Sequence, residues 1–223
     1  MVYEIIKSKY RIFIETLILT LLILLVGFFI GLFVENYRTS KMVDNYNAFE
    51  ISAFDLKLQN YYYQIMDESS CNNSIEQNFF FADKIYKDGL NLERYEQANQ
   101  LTKNILLEKK KYVLLKTELW LNSILLKKKC GDSIHTVVYV YSQNEGGSVS
   151  KDAEQAAISD VLRQIKEEKG NTIILIPIAG DLRLDIVDLQ LRVYNVTSLP
   201  VVIIDEKVVL TGFSSKEEIE KFL

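Results

Sequence analysis

From residue 16 to residue 34 the chain runs without a single charge, and Leu, Ile, Val and Phe fill most of those nineteen positions. A helix of that length reaches about 28 Å at 1.5 Å per residue, which matches the hydrocarbon thickness of a bilayer. Residues 16–34 are therefore expected to form a transmembrane helix. A cleaved signal peptide would need a shorter apolar core followed by small residues, whereas Phe33, Val34, Glu35 and Asn36 follow here, so the segment reads as an anchor. Lys7, Lys9 and Arg11 precede the span and Arg38 and Lys41 follow it. That balance of three basic residues against two favours residues 1–15 as a cytoplasmic tail, with everything after the span outside. Glu15 lies one turn from Arg11, near enough the interface to reach water or pair with that Arg, so it is not read as an intramembrane functional carboxylate.

Composition excludes several classes for the remaining chain. With 2 Cys and 1 His in 223 residues, a zinc site built from Cys and His is out of reach, and so is a disulfide-rich scaffold. Twenty-six basic against 30 acidic residues leave a net charge of -4, which gives no basis for neutralising nucleic-acid phosphates. The charge is uneven. Residues 35–131 carry 14 Lys or Arg against 13 Asp or Glu, net +1, and residues 132–223 carry 9 against 15, net -6. No glycine-rich phosphate fingerprint occurs, so no cofactor is expected.

Residues 35–131 read as an all-α stalk of about three helices. In the first, Phe49, Phe54, Leu56, Leu58, Tyr62 and Ile65 recur at mixed spacings of two to five. Ser74 with Gln77 resembles a capping box opening a second helix through Phe79, Phe80, Phe81 and Ile85, with Gly89 closing it. A third is expected from about Leu92 to Lys129, bent or straight near Lys109, Lys110 and Lys111, with a stripe of Leu101, Ile105, Leu106, Val113, Leu114, Trp120, Leu121, Ile124 and Leu125. Gly131 stands where a left-handed cap belongs. Tyr61, Tyr62 and Tyr63 either fill the core of this bundle or form a platform for another membrane protein. Lys127, Lys128 and Lys129 suit the negative end of a helix dipole and call for no ligand.

Past Gly131 the texture changes to β-branched runs alternating with amphipathic stretches: strand 136–141, helix 153–169, strand 172–178, helix 184–194, strands 201–204 and 208–212, helix 215–223. The order is β-α-β-α-β-β-α. Helices between the first strands require parallel neighbours, and the short turn at Asp205, Glu206 and Lys207 makes the last two strands a hairpin.

That order, with Tyr194-Asn195-Val196-Thr197-Ser198-Leu199-Pro200 running into Val201-Val202-Ile203-Ile204 and then Gly212, resembles the thioredoxin fold over about residues 134–223. The full layout is also similar to single-pass thioredoxin-like proteins of archaea. The resemblance implies a cis Leu199–Pro200 bond bordering a binding groove formed by Thr197, Ser198, Leu199 and Pro200. It also implies a Cys-x-x-Cys after the first strand, where residues 142–153 contain no Cys at all. Exchange of disulfides needs an attacking thiolate and a resolving thiol, so the head is expected to be redox-inactive.

The remaining candidates are few. If the head is extracytoplasmic, Cys71 and Cys130 are expected to form one disulfide tying the stalk to the root of the head; in the cytoplasm they would be ordinary thiols. His135 lacks a Cys or Ser-Asp partner in sequence and reads as a surface or capping residue. Asp181, Asp185 and Asp188 suit the first turn of a helix better than a metal site, and no metal is expected. Asn72-Asn73-Ser74 and Asn195-Val196-Thr197 are glycosylation acceptor patterns that matter only on a translocated chain. The expected protein is a membrane-anchored, thioredoxin-like binder of a protein or extended peptide, not of nucleic acid; the alternative is a membrane-tethered thiol-disulfide oxidoreductase using Cys71 and Cys130.

Overall fold

A computed structural model describes residues 2–98, 103–131, 134–143 and 149–223. Leu101 of the expected stalk stripe, and Gly146 and Gly147 of the cysteine-free loop, lie outside the described residues. The chain divides into two compact units, Met1–Ser52 and Ala53–Leu223.

The first unit is helical, formed by the leading part of α1 (Val2–Ile65). Its segment Tyr10–Tyr37 contains an 18-residue stretch with a mean hydropathy of 3.1 and none of it buried, so it is long and apolar enough to cross a membrane. Polar side chains in its first half bond within the helix. Thr16 and Thr20 return their hydroxyls to the carbonyls of Ile12 and Thr16 at 3.0 and 2.8 Å, and Arg11 Nε donates to Glu15 Oε1 at 3.1 Å, so of the two arrangements open to Glu15 the ion pair is the one formed.

The second unit begins with the last turns of α1, followed by α2 (Cys71–Ala98) and α3 (Lys103–Cys130). The untidy apolar spacing of residues 54–66 resolves into two opposed faces. Leu56, Tyr63 and Met66 are buried, whereas Phe54, Leu58, Tyr61, Tyr62 and Ile65 all project outward. Of the three consecutive tyrosines only Tyr63 enters the core, because successive residues on a helix are 100° apart and cannot share a face. Its burial, with the nearby Asp55 charge adding to it, pushes the Tyr63 phenol up to about 12.

Two expected helix boundaries are corrected. Ser74 does not open α2; the helix starts at Cys71, and the buried Ser74 hydroxyl instead donates to Met66 Sδ at 3.2 Å. Gly89 does not end it either. A Cβ at Gly89 would overlap the side chain of Tyr112 on α3, whose hydroxyl donates to the Ile85 carbonyl at 2.5 Å. The glycine permits close approach of two helices, and the apparent stop signal is a packing signal. Leu92 accordingly belongs to α2, and the third helix starts at Lys103. Gly131, at φ +84°, ends α3 in the expected way, its N–H returning to the Lys127 carbonyl at 3.0 Å. Amide contacts fix the helices against one another: Asn60 Nδ2 donates to Asn122 Oδ1 at 2.6 Å, Asn122 Nδ2 to the Leu56 carbonyl at 3.0 Å, and Asn78 Nδ2 to Ser123 Oγ at 2.9 Å.

The α/β part follows in the expected order: β1 (His135–Tyr141), α4 (Val149–Lys169), β2 (Ile173–Ala179), α5 (Asp185–Val193), β3 (Val201–Ile204), β4 (Val208–Thr211) and α6 (Lys216–Glu220). The sheet order is β2-β1-β3-β4. β1 and β2 are parallel, with Val138 opposite Ile176, and β1 and β3 are antiparallel, with Val140 opposite Val201. Alternation along β1 sends Val137 and Tyr139 to one face, where Ile158, Leu162 and Ile165 of α4 and Ile219 of α6 complete a core. The opposite face is covered too: α3 packs against β1 and β2, and α2 against β2. Burial on both faces is why β1 and β3 read as unbroken β-branched runs in the sequence. Ser215 caps α6 with a full capping box, its hydroxyl accepting from the Glu218 N–H and the Glu218 carboxylate accepting from the Ser215 N–H.

Candidate functional site

The segment between α5 and β3 is built by a tight helix exit. Asn195 takes φ +54° and donates its N–H to the Arg192 carbonyl, and Val196 N–H returns to Leu191 at 2.8 Å. Thr197 and Ser198 are thereby turned out to solvent, Leu199 is half-buried, and Pro200 is buried after a cis peptide bond. Two glycines make room around them. At Gly180 a Cβ would collide with Val140 and Leu199, so the chain after β2 lies directly beneath the Leu199 side chain. Gly212, at φ +75°, donates its N–H to the Pro200 carbonyl at 3.2 Å, and the adjoining Phe213 is 55% exposed. Phe213 N–H in turn donates to Glu154 Oε1 of α4 at 3.0 Å.

The end of β1, where the resemblance calls for thiols, is occupied by a closed hydrogen-bond set. Ser142 N–H donates to the Gln155 amide oxygen at 2.6 Å, and the same amide donates back to the Ser142 carbonyl at 3.3 Å. The Ser142 hydroxyl donates to Asp181 Oδ2 at 2.7 Å and Gln143 N–H to Asp181 Oδ1 at 2.8 Å. Asp181 thus stands before α5 as a brace for this loop, apart from Asp185 and Asp188 of the helix's first turn. Among the described residues no cluster of His, Cys, Asp or Glu could hold a metal ion. No Ser–His pair forms at Ser142, since the chain's one histidine, His135, begins β1 and Ser142 follows the strand's other end, a strand length of roughly 20 Å away.

A second polar centre lies at the His135 end of β1, and the sequence reading missed it. Asp205 and Glu206, at φ +51° and +58°, form the β3–β4 turn in the left-handed conformation that such hairpins use, although neither is Gly or Asn. Their carboxylates turn inward. Lys127 Nζ of α3 lies 2.5 Å from Asp205 Oδ1 and 3.2 Å from Glu206 Oε2, with its side chain only 7% exposed. Thr136 N–H and His135 Nδ1 meet Asp205 at 2.9 and 2.6 Å, while the Thr136 hydroxyl and the Trp120 indole N–H donate to Glu206 at 2.7 and 2.9 Å. Trp120 also stacks on Tyr194, centroids 5.5 Å apart, so the same α3 segment supports the residue that leads into the Pro200 loop. Burial pushes the Asp205 carboxyl up, but the hydrogen bonds from Lys127, His135 and the Thr136 N–H outweigh it, and the net shift is downward. Lys127 is therefore the centre of a buried ion cluster, not a solvated dipole partner, and His135 is an Asp205 partner instead of a lone surface group.

Cys71 and Cys130 form the expected disulfide, with Cα atoms 5.6 Å apart. It joins the first residue of α2 to the last of α3 and packs on Tyr63, Met66 and Leu126. No family model and no curated protein matches this chain.

Proposed function

We propose that this is a single-pass membrane protein displaying a thioredoxin-like, redox-inactive head at the outer face, where the groove of Thr197, Ser198, Leu199 and Pro200 binds an extended peptide segment of a protein partner. The β-α-β-α-β-β-α order and the β2-β1-β3-β4 sheet support the thioredoxin-like reading. The observation that carries the binding role is the contrast across the groove. On one side Thr197 and Ser198 are exposed; on the other, the loop after β1 has every polar group of Ser142 engaged by Gln155 and Asp181. A site built this way offers backbone and apolar contact, from Leu199 and Phe213, and residues 142–153 bring no thiol to it. Strand-like pairing of a bound peptide with the backbone needs no thiol. Both cysteines are committed to one disulfide packed in the helical layer, which favours a clamp over a catalytic couple.

Crosslinking in intact membranes followed by recovery of the full chain tests the reading. A partner should be recovered with the wild type and lost with Thr197→Arg plus Ser198→Arg, two exposed changes that leave the core intact. Equal recovery with both proteins, or none with either, would overturn it.

A further inference from the structure

The outward face of α1 in the second unit is apolar and lies opposite the face that builds the core. Phe54, Leu58, Tyr61 and Ile65 are 64, 50, 56 and 81% exposed, and Tyr62 beside them is 47% exposed. Their spacing of four, three and four residues is the a/d repeat of a coiled-coil seam, not the broader stripe of a helix lying on a globular core. We propose that this seam pairs with the same seam of a second copy of the chain, forming a parallel homodimer in the membrane.

Area and geometry select this occupant. Three of the five, Phe54, Tyr61 and Tyr62, are aromatic, a class that contributes on the order of 150–250 Å² per side chain when fully covered; scaled by their exposures and joined by Leu58 and Ile65, they supply more than half of the roughly 800 Å² per partner of a standard interface. A seam repeating at 3.5 residues is self-complementary across a two-fold axis, where each side chain meets its own counterpart. Two heptads are short for a free-standing coiled coil, which normally sustains three or four. Here each copy also carries a segment apolar enough to be held in a membrane, and two tethered copies meet at a raised effective concentration in one orientation. The inference does not depend on what the Pro200 groove binds.

The test uses the full chain in native membranes. A photo-crosslinking residue placed at Leu58 or Tyr61 should give a product of twice the chain mass, and one placed at the exposed but off-seam Gln64 should not. In detergent, Phe54→Glu plus Leu58→Glu should lower the dimer fraction at least tenfold by sedimentation while the Cys71–Cys130 disulfide still forms, which shows that the fold is retained. Crosslinks from Leu58 only to a different protein, crosslinks equally strong from Gln64, or a wild type that sediments as a monomer at all concentrations would overturn the proposal.

Discussion

Lys127 Nζ and Asp205 Oδ1 lie 2.5 Å apart across 78 residues of sequence, joining the last turn of α3 to the β3–β4 turn with both side chains nearly out of solvent. Two charges so placed depend on each other. Lys127→Met would leave the Asp205 and Glu206 carboxylates buried without their cation, a loss of about 3–5 kcal/mol. Thermal unfolding of the purified full chain should show a drop of roughly 6–20 °C on that basis. A change under 2 °C would mean that water or another group already neutralises the cluster.

The depressed Asp205 carboxyl makes stability depend on acidity with a defined sign. A group whose folded pKa lies below its unfolded value, near 3.9 for Asp, contributes its full stabilisation above that value. The contribution is then lost as pH falls through the folded pKa. Denaturant unfolding of wild type against Asp205→Asn should show two curves that run parallel from pH 5 to 7 and converge below about pH 4. Curves that stay parallel down to pH 2 would remove Asp205 from the acid response.

At Gly89 the expected sign is the reverse of helix propensity. In an open helix Gly→Ala stabilises by about 1 kcal/mol. Here the added methyl would meet the Tyr112 side chain, so Gly89→Ala should destabilise by about 1–3 kcal/mol. A gain in stability would show that α2 and α3 are free to move apart.

The disulfide and the topology stand together, because a structural disulfide persists in an oxidising space. A membrane-impermeant protease applied to intact cells or spheroplasts should remove the head and leave a short anchored fragment. Non-reducing gels should show a mobility shift that Cys71→Ser abolishes, with a stability loss of about 2–4 kcal/mol. Full protection of the head would reverse the orientation, and two alkylatable thiols in untreated protein would contradict the bridge.

Local chemistry made much of this architecture legible in the sequence. Residues 201–204 are a strand because four β-branched residues in a row can be covered on both faces, and Gly131 ends a helix because it alone tolerates φ +84° there. What escaped depends on contacts between distant segments. Lys127, Lys128 and Lys129 look alike in sequence, and only the arrival of Asp205 and Glu206 singles out the first. Gly89 carries the same letter whether it stops a helix or admits Tyr112. The mixed spacing around Phe54 and Leu56 was readable as two opposed helix faces, a pattern that a single amphipathic stripe does not produce. At the candidate groove, Pro200 and the lack of thiols could be read directly, whereas the Ser142, Gln155 and Asp181 set joins three separate elements and could not.

The central claim is that the head binds its partner beside Pro200 without thiol chemistry. It is tested most directly by placing a photo-crosslinking residue at Thr197 in two backgrounds, the wild type and Cys71→Ser with Cys130→Ser, and irradiating intact membranes. The account predicts one adduct of the same mass in both, stable to reductant. An adduct that vanishes with the cysteines, or one that reductant releases, would contradict it and place the chemistry on Cys71 and Cys130.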